Sequence, residues 1–494
     1  MTTPRRPIEF GGTSGQIGER LPAGISAPRA LLDVLNTVCP TSTDEVDRNE
    51  HGRDWWPLAM HWALDGETVS RPDAVCRPRT TDDVVRIVRA CSAAGVAVTA
   101  GGGRSGVCGA AIPVRGGIVI DMTEMSGIVE VDVESGVACV LPGTFGPDLE
   151  NELRTHHGLT AGHFPQSFAI STVGGWVAGN GAGQYSTRYG TIGEMVAGLE
   201  VVGADGSVAT YGPHPASATG PEIGQLFVGS EGTLGVITKV WLRCHPLPAS
   251  EMRATHVFPS FEAGIAAMRD SVRQDATPAV LRLYDEIESA RSHGGDGTTC
   301  TLLVLDQGHP RIVEATMDVV AESAARHGGS PHADDRVAHW LEHRNDTEAL
   351  QALTRRGFIV DTMEVASSWS ALTRVATAVK SAASTLSGIR VVSCHQSHSY
   401  LDGGCLYFTF VLQPAEAHDP PVEERYVQAW DTVQRAAMEA GATVAHHHGI
   451  GLNRSRFMRD ALGPAYDTWK AVKHALDPDG VMNPGKLGDD YRWP

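Results

Sequence analysis

The segment VAVTAGGGRSGVCGAAIPVRGGIVIDM, residues 96–122, decides how the chain is read. Val96–Ala100 has the apolar texture of a buried strand, and Gly101, Gly103 and Gly106 satisfy GxGxxG directly behind it. In a Rossmann unit a helix would follow and offer its N-terminus to a pyrophosphate. Here Pro113, Gly116 and Gly117 intervene and another strand comes next, so the Rossmann reading is disfavoured. A glycine loop of this kind still leaves successive backbone N–H groups unshielded, and a concave array of them binds anions without a helix dipole. The plainer alternative is a tight turn that needs positive φ.

Working outward, Ala74–Arg77 reads as a short strand. TTDDVVRIVRACSAAG follows as a helix, capped by Thr80 or Thr81 and ended by Gly95. Downstream, GGIVIDM and GVACVLPG are short strands, and GLEVVGADGSVATYG is a hairpin around Ala204, Asp205 and Gly206. This α+β lobe ends near Pro248. From 249 to 440 longer helices alternate with the strands VLRLYD, CTLLVLD, IRVVSCH and CLYFTFVL, which describes a sheet covered by helices on one side. Residues 1–66 show little periodicity and read as an extended arm packed on a neighbour or partner subunit. Residues 441–494 carry a helix and a Gly/Pro-rich tail that should return to a lobe. The expected division is 1–66, 67–248, 249–440 and 441–494.

Length and charge bound the function. A chain of 494 residues exceeds one ordinary core. Its formal charge of -18 repels phosphate backbones and anionic lipid, which excludes nucleic acid and membrane partners. No apolar run approaches the ~18 residues of a membrane helix, and MTTPRRPIEFGG lacks the pattern of a secretory or twin-arginine leader. The nine cysteines are scattered without a CxxC pair, which suits reduced thiols in a cytoplasm. A small-molecule substrate is expected, and a homodimer is left open.

Two further segments are unusually small and glycine-rich: HFPQSFAISTVGGWVAGNGAGQYSTRYG (163–190) and GSEGTLGVIT (229–238). Three such surfaces in one chain call for a long, flat ligand, and FAD has those dimensions. The order of the segments resembles the vanillyl-alcohol oxidase, or PCMH-type, FAD-binding flavoproteins over residues 67–248. The rest is similar more weakly, down to the terminal NPGKL of D-lactate dehydrogenase-like members. The resemblance implies an α+β, two-lobed fold with a ferredoxin-like cap domain. It also implies that Thr99, Ala100, Gly101, Gly102, Gly103, Arg104 and Ser105 hold the pyrophosphate. Gln166, Ser167, Ser171, Thr172, Gly174, Gly175, Gly179, Asn180, Gly181 and Ala182 would line the flavin. Glu231, Gly232, Thr233, Leu234, Gly235, Val236 and Ile237 would support the adenosine side. Members that attach FAD covalently do so through a histidine in an RSGGH-like run or through a cysteine. Here Cys108 and Ile170 stand in those places, so non-covalent FAD is expected, with Cys108 read as an inert buried thiol.

In the second half, HHHGIG (446–451) is the unusual string. Read as a strand, it places His446 and His448 on one face and His447 on the other, and the plain alternative is a polar strand end. The GDGNxH motif of metal-dependent relatives is absent, and no metal is expected. In CLYFTF, alternation sends Leu406, Phe408 and Phe410 to one side and Tyr407 to the other, free to enter a pocket. This pairing resembles the alkyldihydroxyacetonephosphate synthase family, with which STVGGWV, TGPEI, GSEGTLGVIT and RLYD are shared. That likeness implies Tyr407 as acid/base and His446, His447 and His448 as required residues. It also implies bonding of the substrate carbon to flavin N5 without net oxidation. The arginine that the family uses for substrate phosphate falls at Leu350, so Arg282 and Arg344 are the substrate-binding candidates, with Arg355 and Arg356 nearby. The alternative reading is an FAD-linked dehydrogenase or oxidase of a 2-hydroxy acid, alcohol or sugar. A non-catalytic flavin-fold binding protein stands behind both.

Overall fold

The structure is a computed structural model that describes residues 18–21, 24–346 and 348–488. Its first sheet is built around the segment quoted above. Strands β1 (Ala74–Cys76), β2 (Val98–Gly101) and β3 (Ile118–Asp121) run parallel in the order β1-β3-β2, with Thr41–Ser42 antiparallel on the outer edge. Helix α1 (Thr81–Ala93) makes the crossover. Thr80 and Asp83 close a capping box at its start, and Gly95 leaves it at φ +63°. Val84, Ile87, Val88 and Cys91 bury its inner stripe, as the periodicity requires. No helix follows Gly101: the chain bends through the glycine loop straight into β3.

The second sheet is antiparallel, in the order β7-β6-β8-β5-β4. These strands are β4 (Ile128–Asp132), β5 (Val137–Val140), β6 (Val196–Val202), β7 (Val208–Tyr211) and β8 (Val236–Arg243). The expected hairpin joins β6 to β7. The glycine-rich run 163–190 holds a short helix, α2 (Val173–Ala178), which the sequence reading had not anticipated.

After β8 the chain enters a third sheet, with strands β9 (Ser250–Phe258), β10 (Val280–Tyr284), β11 (Cys300–Gly308), β12 (Ile359–Ser368), β13 (Ile389–Ser399) and β14 (Gly403–Leu412). All pairs are antiparallel in the order β9-β11-β10-β13-β14-β12, with Ser330–Pro331 outside β9. Helices α3 (Phe261–Val272), α4 (Pro310–Arg326), α5 (Leu372–Ala383) and α6 (Val422–Glu439) cover one face. Leu281, Leu283, Leu302, Val304, Leu406, Phe408 and Phe410 point into that apolar layer. Strand alternation therefore turns Arg282, Tyr284 and Tyr407 to the uncovered face. That face looks toward the glycine loops.

The N-terminal segment is not an extended arm. Helices Arg29–Val38, Glu45–Glu50 and Pro57–Leu64 pack on this chain itself, while residues 1–17 and 22–23 lie outside the described residues. Trp56 is fully buried, and its indole N–H donates to the Tyr426 hydroxyl at 2.9 Å. Tyr426, a large aromatic on the chain's own cap, meets Trp56 edge-on with ring centres 6.3 Å apart and gives this segment its apolar partner. The C-terminal tail pairs with the first sheet: Val98 N–H donates to Val481 O at 2.8 Å, and Asn483 N–H to Val98 O at 2.7 Å. All nine cysteines are buried and unbridged. Among the described residues no helix is long and apolar enough to cross a membrane.

Candidate active site

Between the lobes lies a cavity of about 1490 Å³, bounded by the glycine-rich segments below and the uncovered cap face above. The first two glycine segments interlock. A side-chain carbon on Gly102 would stand 2.1 Å from Thr172 Oγ1, and one on Gly103 would stand 2.0 Å from Ile170 O. Only glycine permits backbones to approach this closely. The N–H groups of Gly102 to Val107 have no hydrogen-bond partner among the described residues, which is the donor array an anion requires. Thr172 Oγ1, both His163 nitrogens and Ser397 Oγ are also buried without partners, and all three residues line the cavity. Buried polar groups are rarely left unsatisfied. A long cavity with a bare N–H array and orphaned polar atoms along its wall fits FAD.

Most of the residues expected to hold the cofactor line this space: Ala100 to Ser105, Gln166, Ser167, Ser171, Thr172, Gly174, Gly175, Gly179, Gly181, Ala182, Glu231, Gly232 and Gly235 to Ile237. Thr99, Asn180, Thr233 and Leu234 do not. Thr99 lies beneath the loop and donates to Asn483 Oδ1 at 3.3 Å, and the Thr233 hydroxyl donates to Ser230 O. Glu231 also ties the lobes together, since its Oε1 accepts from the N–H groups of Ile450 at 2.7 Å and Gly451 at 3.0 Å.

On the cap face, strand register places Tyr284, His395, Tyr407 and Glu364 in one row across β10, β13, β14 and β12. Tyr407 lies flat on His395, ring centres 4.8 Å apart and planes 11° apart, and its hydroxyl donates to Thr362 Oγ1 at 3.0 Å. Burial raises the Tyr407 phenol above its ordinary value, so the free protein holds it protonated. Burial and the neighbouring Arg282 push His395 down to about 4. The neutral ring donates from Nδ1 to Glu288 at 3.2 Å and accepts at Nε2 from Arg282 Nη2 at 2.6 Å. Arg282 also donates to the Tyr284 hydroxyl at 2.7 Å and forms no ion pair among the described residues. Its charge is left for the cavity that it lines.

The histidine run is not a strand. Residues 446–448 curl round the Glu364 carboxylate, whose Oε1 accepts from the backbone N–H of His446 at 3.1 Å, His447 at 3.0 Å and His448 at 2.8 Å. Burial alone would raise the Glu364 pKa, but Arg454 beside it holds the carboxyl well below the usual range. Convergence on one oxygen replaces the alternation expected of a strand. His447 and His448 line the cavity, whereas His446 stands behind them. Neither imidazole bonds the Tyr407 hydroxyl: His447 faces the Tyr407 ring at 6.1 Å and His448 meets it edge-on at 5.4 Å.

Arg344 is not among the lining residues. Its cation sits over Tyr185, Trp340 and Phe164 and donates to Gln184 Oε1 at 3.1 Å, while Arg355 does line the cavity. The side chain of Leu350 lies outside the described residues. The sequence reading missed Thr362, Glu364, His395 and His398. Alternation along β12, anchored on the apolar Met363 and Val365, would have turned Thr362 and Glu364 toward the site. His398 is reached only through a bulge at the end of β13, where its φ is +52°.

Comparison with known proteins agrees with this geometry. The family model described as FAD binding domain matches residues 72–212, and that described as FAD linked oxidases, C-terminal domain, matches 247–487. The FAD-linked oxidoreductase YgcU of Escherichia coli (strain K12) is 30% identical over 438 residues, covering 85% of this chain and 90% of that protein. Alkyldihydroxyacetonephosphate synthase of Trypanosoma brucei brucei is 29% identical over 520 residues, covering 97% and 83%. A solved structure of alkyldihydroxyacetonephosphate synthase superposes with a TM-score of 0.80 at 23% identity, over 98% of this chain and 90% of that one. The chain therefore belongs to the FAD-linked oxidases and is an FAD-dependent enzyme with the two-lobed PCMH-type fold.

Proposed function

We propose that the chain acts on a small, anionic, oxygen-bearing substrate held between the flavin and the cap, in the manner of an alkyldihydroxyacetonephosphate synthase. In this proposal residues 67–248 form the flavin lobe and 249–440 the cap, while 441–494 returns the histidine loop to the site. The observation that carries it is that Tyr407, His447, His448 and the unpaired cation of Arg282 open onto the same cavity as the glycine loops. FAD, when bound, supplies an electron-accepting ring. The protein's part is to place the substrate and move protons. Arg282, fixed by Tyr284 and His395, attracts the substrate's anionic group, and Arg355 at the wall adds a second charge for a phosphate. His447 accepts a proton from the substrate, and Tyr407, protonated at rest, donates one to a developing oxyanion. Thr362 fixes the direction of that hydroxyl.

The second reading, an FAD-linked dehydrogenase or oxidase of a 2-hydroxy acid, is favoured by the same Arg282, since one guanidinium without a carboxylate partner suits a substrate carboxylate. Anaerobic mixing with D-lactate, glycolate and an acylated dihydroxyacetone phosphate separates the two. Lasting loss of the oxidised flavin spectrum with either hydroxy acid supports dehydrogenation. Loss of the acylate from the acylated phosphate, with a long-chain alcohol added to take its place and the oxidised spectrum restored, supports the synthase-like route, and no response to it removes that route.

A further inference from the structure

Two short hydrogen bonds lead away from the cavity through the histidine run. His447 Nδ1 lies 2.7 Å from His446 Nδ1, and His446 Nε2 lies 2.6 Å from the Tyr400 hydroxyl. Of the three, only His447 lines the cavity, and its Nε2 has no protein partner among the described residues and is not sealed from open space. Tyr400 begins a turn at the far end of β13, where Leu401 is 62% exposed. Backbone contacts fix each member: Glu364 holds the N–H groups of both histidines, Tyr400 N–H donates to Gly403 O at 2.8 Å, and Trp369 Nε1 donates to Tyr400 O at 3.0 Å.

We propose that Tyr400, His446 and His447 form a proton relay between the substrate cavity and the Tyr400 turn, with Tyr400 and His446 as positioning residues that act through His447. The inference rests on the proposed function in taking His447 as the group that meets the substrate proton. The balance is that of a hydrogen-bonded chain. A proton arrives at His447 Nε2, the Nδ1 proton of His447 passes to His446 Nδ1, and the Nε2 proton of His446 passes to the Tyr400 oxygen. Tyr400, half-buried in the turn, then releases its own hydroxyl proton to water there, and every member has exchanged tautomer or proton without net charge. Burial holds His446 at about 4 and His447 well below its ordinary value, so both rings rest neutral, each with one donor and one acceptor.

The same imidazoles, with His398, bring their ligand atoms within 4.8 Å of one another. Electrostatics opposes a divalent cation there. The nearest carboxylate, Glu364, is already paired with Arg454, and the Arg282 charge acts on His398.

The test uses the FAD-loaded full chain labelled with ¹⁵N-histidine and needs no substrate. The expected result is a ring N–H signal shared by His446 and His447, shifted downfield of ordinary imidazole signals and exchanging with water. Tyr400→Phe should keep that signal and the FAD content while slowing exchange by about a hundredfold, the low end for one positioned proton carrier. His446→Gln should abolish the signal. Unchanged exchange in Tyr400→Phe overturns the relay, as does stoichiometric metal in the purified protein bound through His398, His446 and His447. Should Tyr400→Phe lose FAD, difluorotyrosine labelling acidifies the phenol without removing it, and an unchanged exchange rate there is equally fatal. Failure of the proposed function is separate, since it is read from turnover of the probe substrates and not from exchange in the resting protein.

Discussion

Glu364 and Arg454 meet as an ion pair with both side chains wholly buried. Arg454 also donates to Val444 O at 3.1 Å, so the pair fixes both the histidine loop and the chain leading into it. Removing one partner leaves the other charge uncompensated in the interior. Glu364→Gln should cost about 3–5 kcal/mol of stability, the usual consequence of orphaning a buried charge. The double variant Glu364→Gln/Arg454→Met should recover a substantial part. Urea midpoints of the two variants check this, and a single variant as stable as wild type would contradict it.

Tyr407→Phe removes one oxygen while keeping the stack on His395. FAD content and melting temperature should change little, with only the bond to Thr362 lost, at about 1 kcal/mol. Turnover should fall by about 10²–10⁴-fold if the phenol moves a proton. Near-normal turnover in a fully loaded preparation would reduce Tyr407 to a packing role.

FAD should leave the protein on acid precipitation. Cys108 is buried and does not line the cavity, and Ile170, which does, has no nucleophile. Yellow colour retained in the washed pellet would show a covalent link elsewhere.

Gly103→Ala should empty the site, because the added carbon would collide with Ile170 O and force the two loops apart. Gly174→Val should act similarly through Pro142, whose Cβ would stand 2.6 Å from the new carbon. The flavin-to-protein absorbance ratio after purification reads both.

Stability should fall on acidification between about pH 6.5 and 4. Burial depresses His61, His293, His395 and His446 from 6.5 to about 4, so over this window the unfolded chain binds protons that the fold refuses. Asp54, raised by burial to about 7, and Asp361, raised to about 6, act in the opposite sense, since their folded forms keep protons that the unfolded chain releases. Among the described residues nine histidines held below their ordinary value by burial stand against six carboxyls held above it, which leaves the net direction with the histidines. Melting temperatures across this range test it, and a rise toward pH 4 would be inconsistent with neutral buried imidazoles.

Much of the site was legible because local rules suffice for it. The loop after Val98 had to bend without a helix, given Pro113, Gly116 and Gly117, and alternation in CLYFTF turned Tyr407 away from Leu406, Phe408 and Phe410. These are consequences of neighbours in the chain, where steric preference and the two-residue period of a strand act.

Only the tertiary structure decided the rest, because the partners are far apart in sequence. The histidine run abandons the extended form because the Glu364 carboxylate, 82 residues before His446, supplies one oxygen that three successive N–H groups can share. Arg344 leaves the cavity for Tyr185, Trp340 and Phe164, whose ring faces bind a guanidinium with less desolvation than an open wall would require of it. Arg282 is aimed by His395, 113 residues away, and that ring is given its tautomer by Glu288. A sequence states which residues carry charge, ring or hydroxyl. Which of them meet is settled by sheet register and buried ion pairing, and these exist only once the chain has closed on itself.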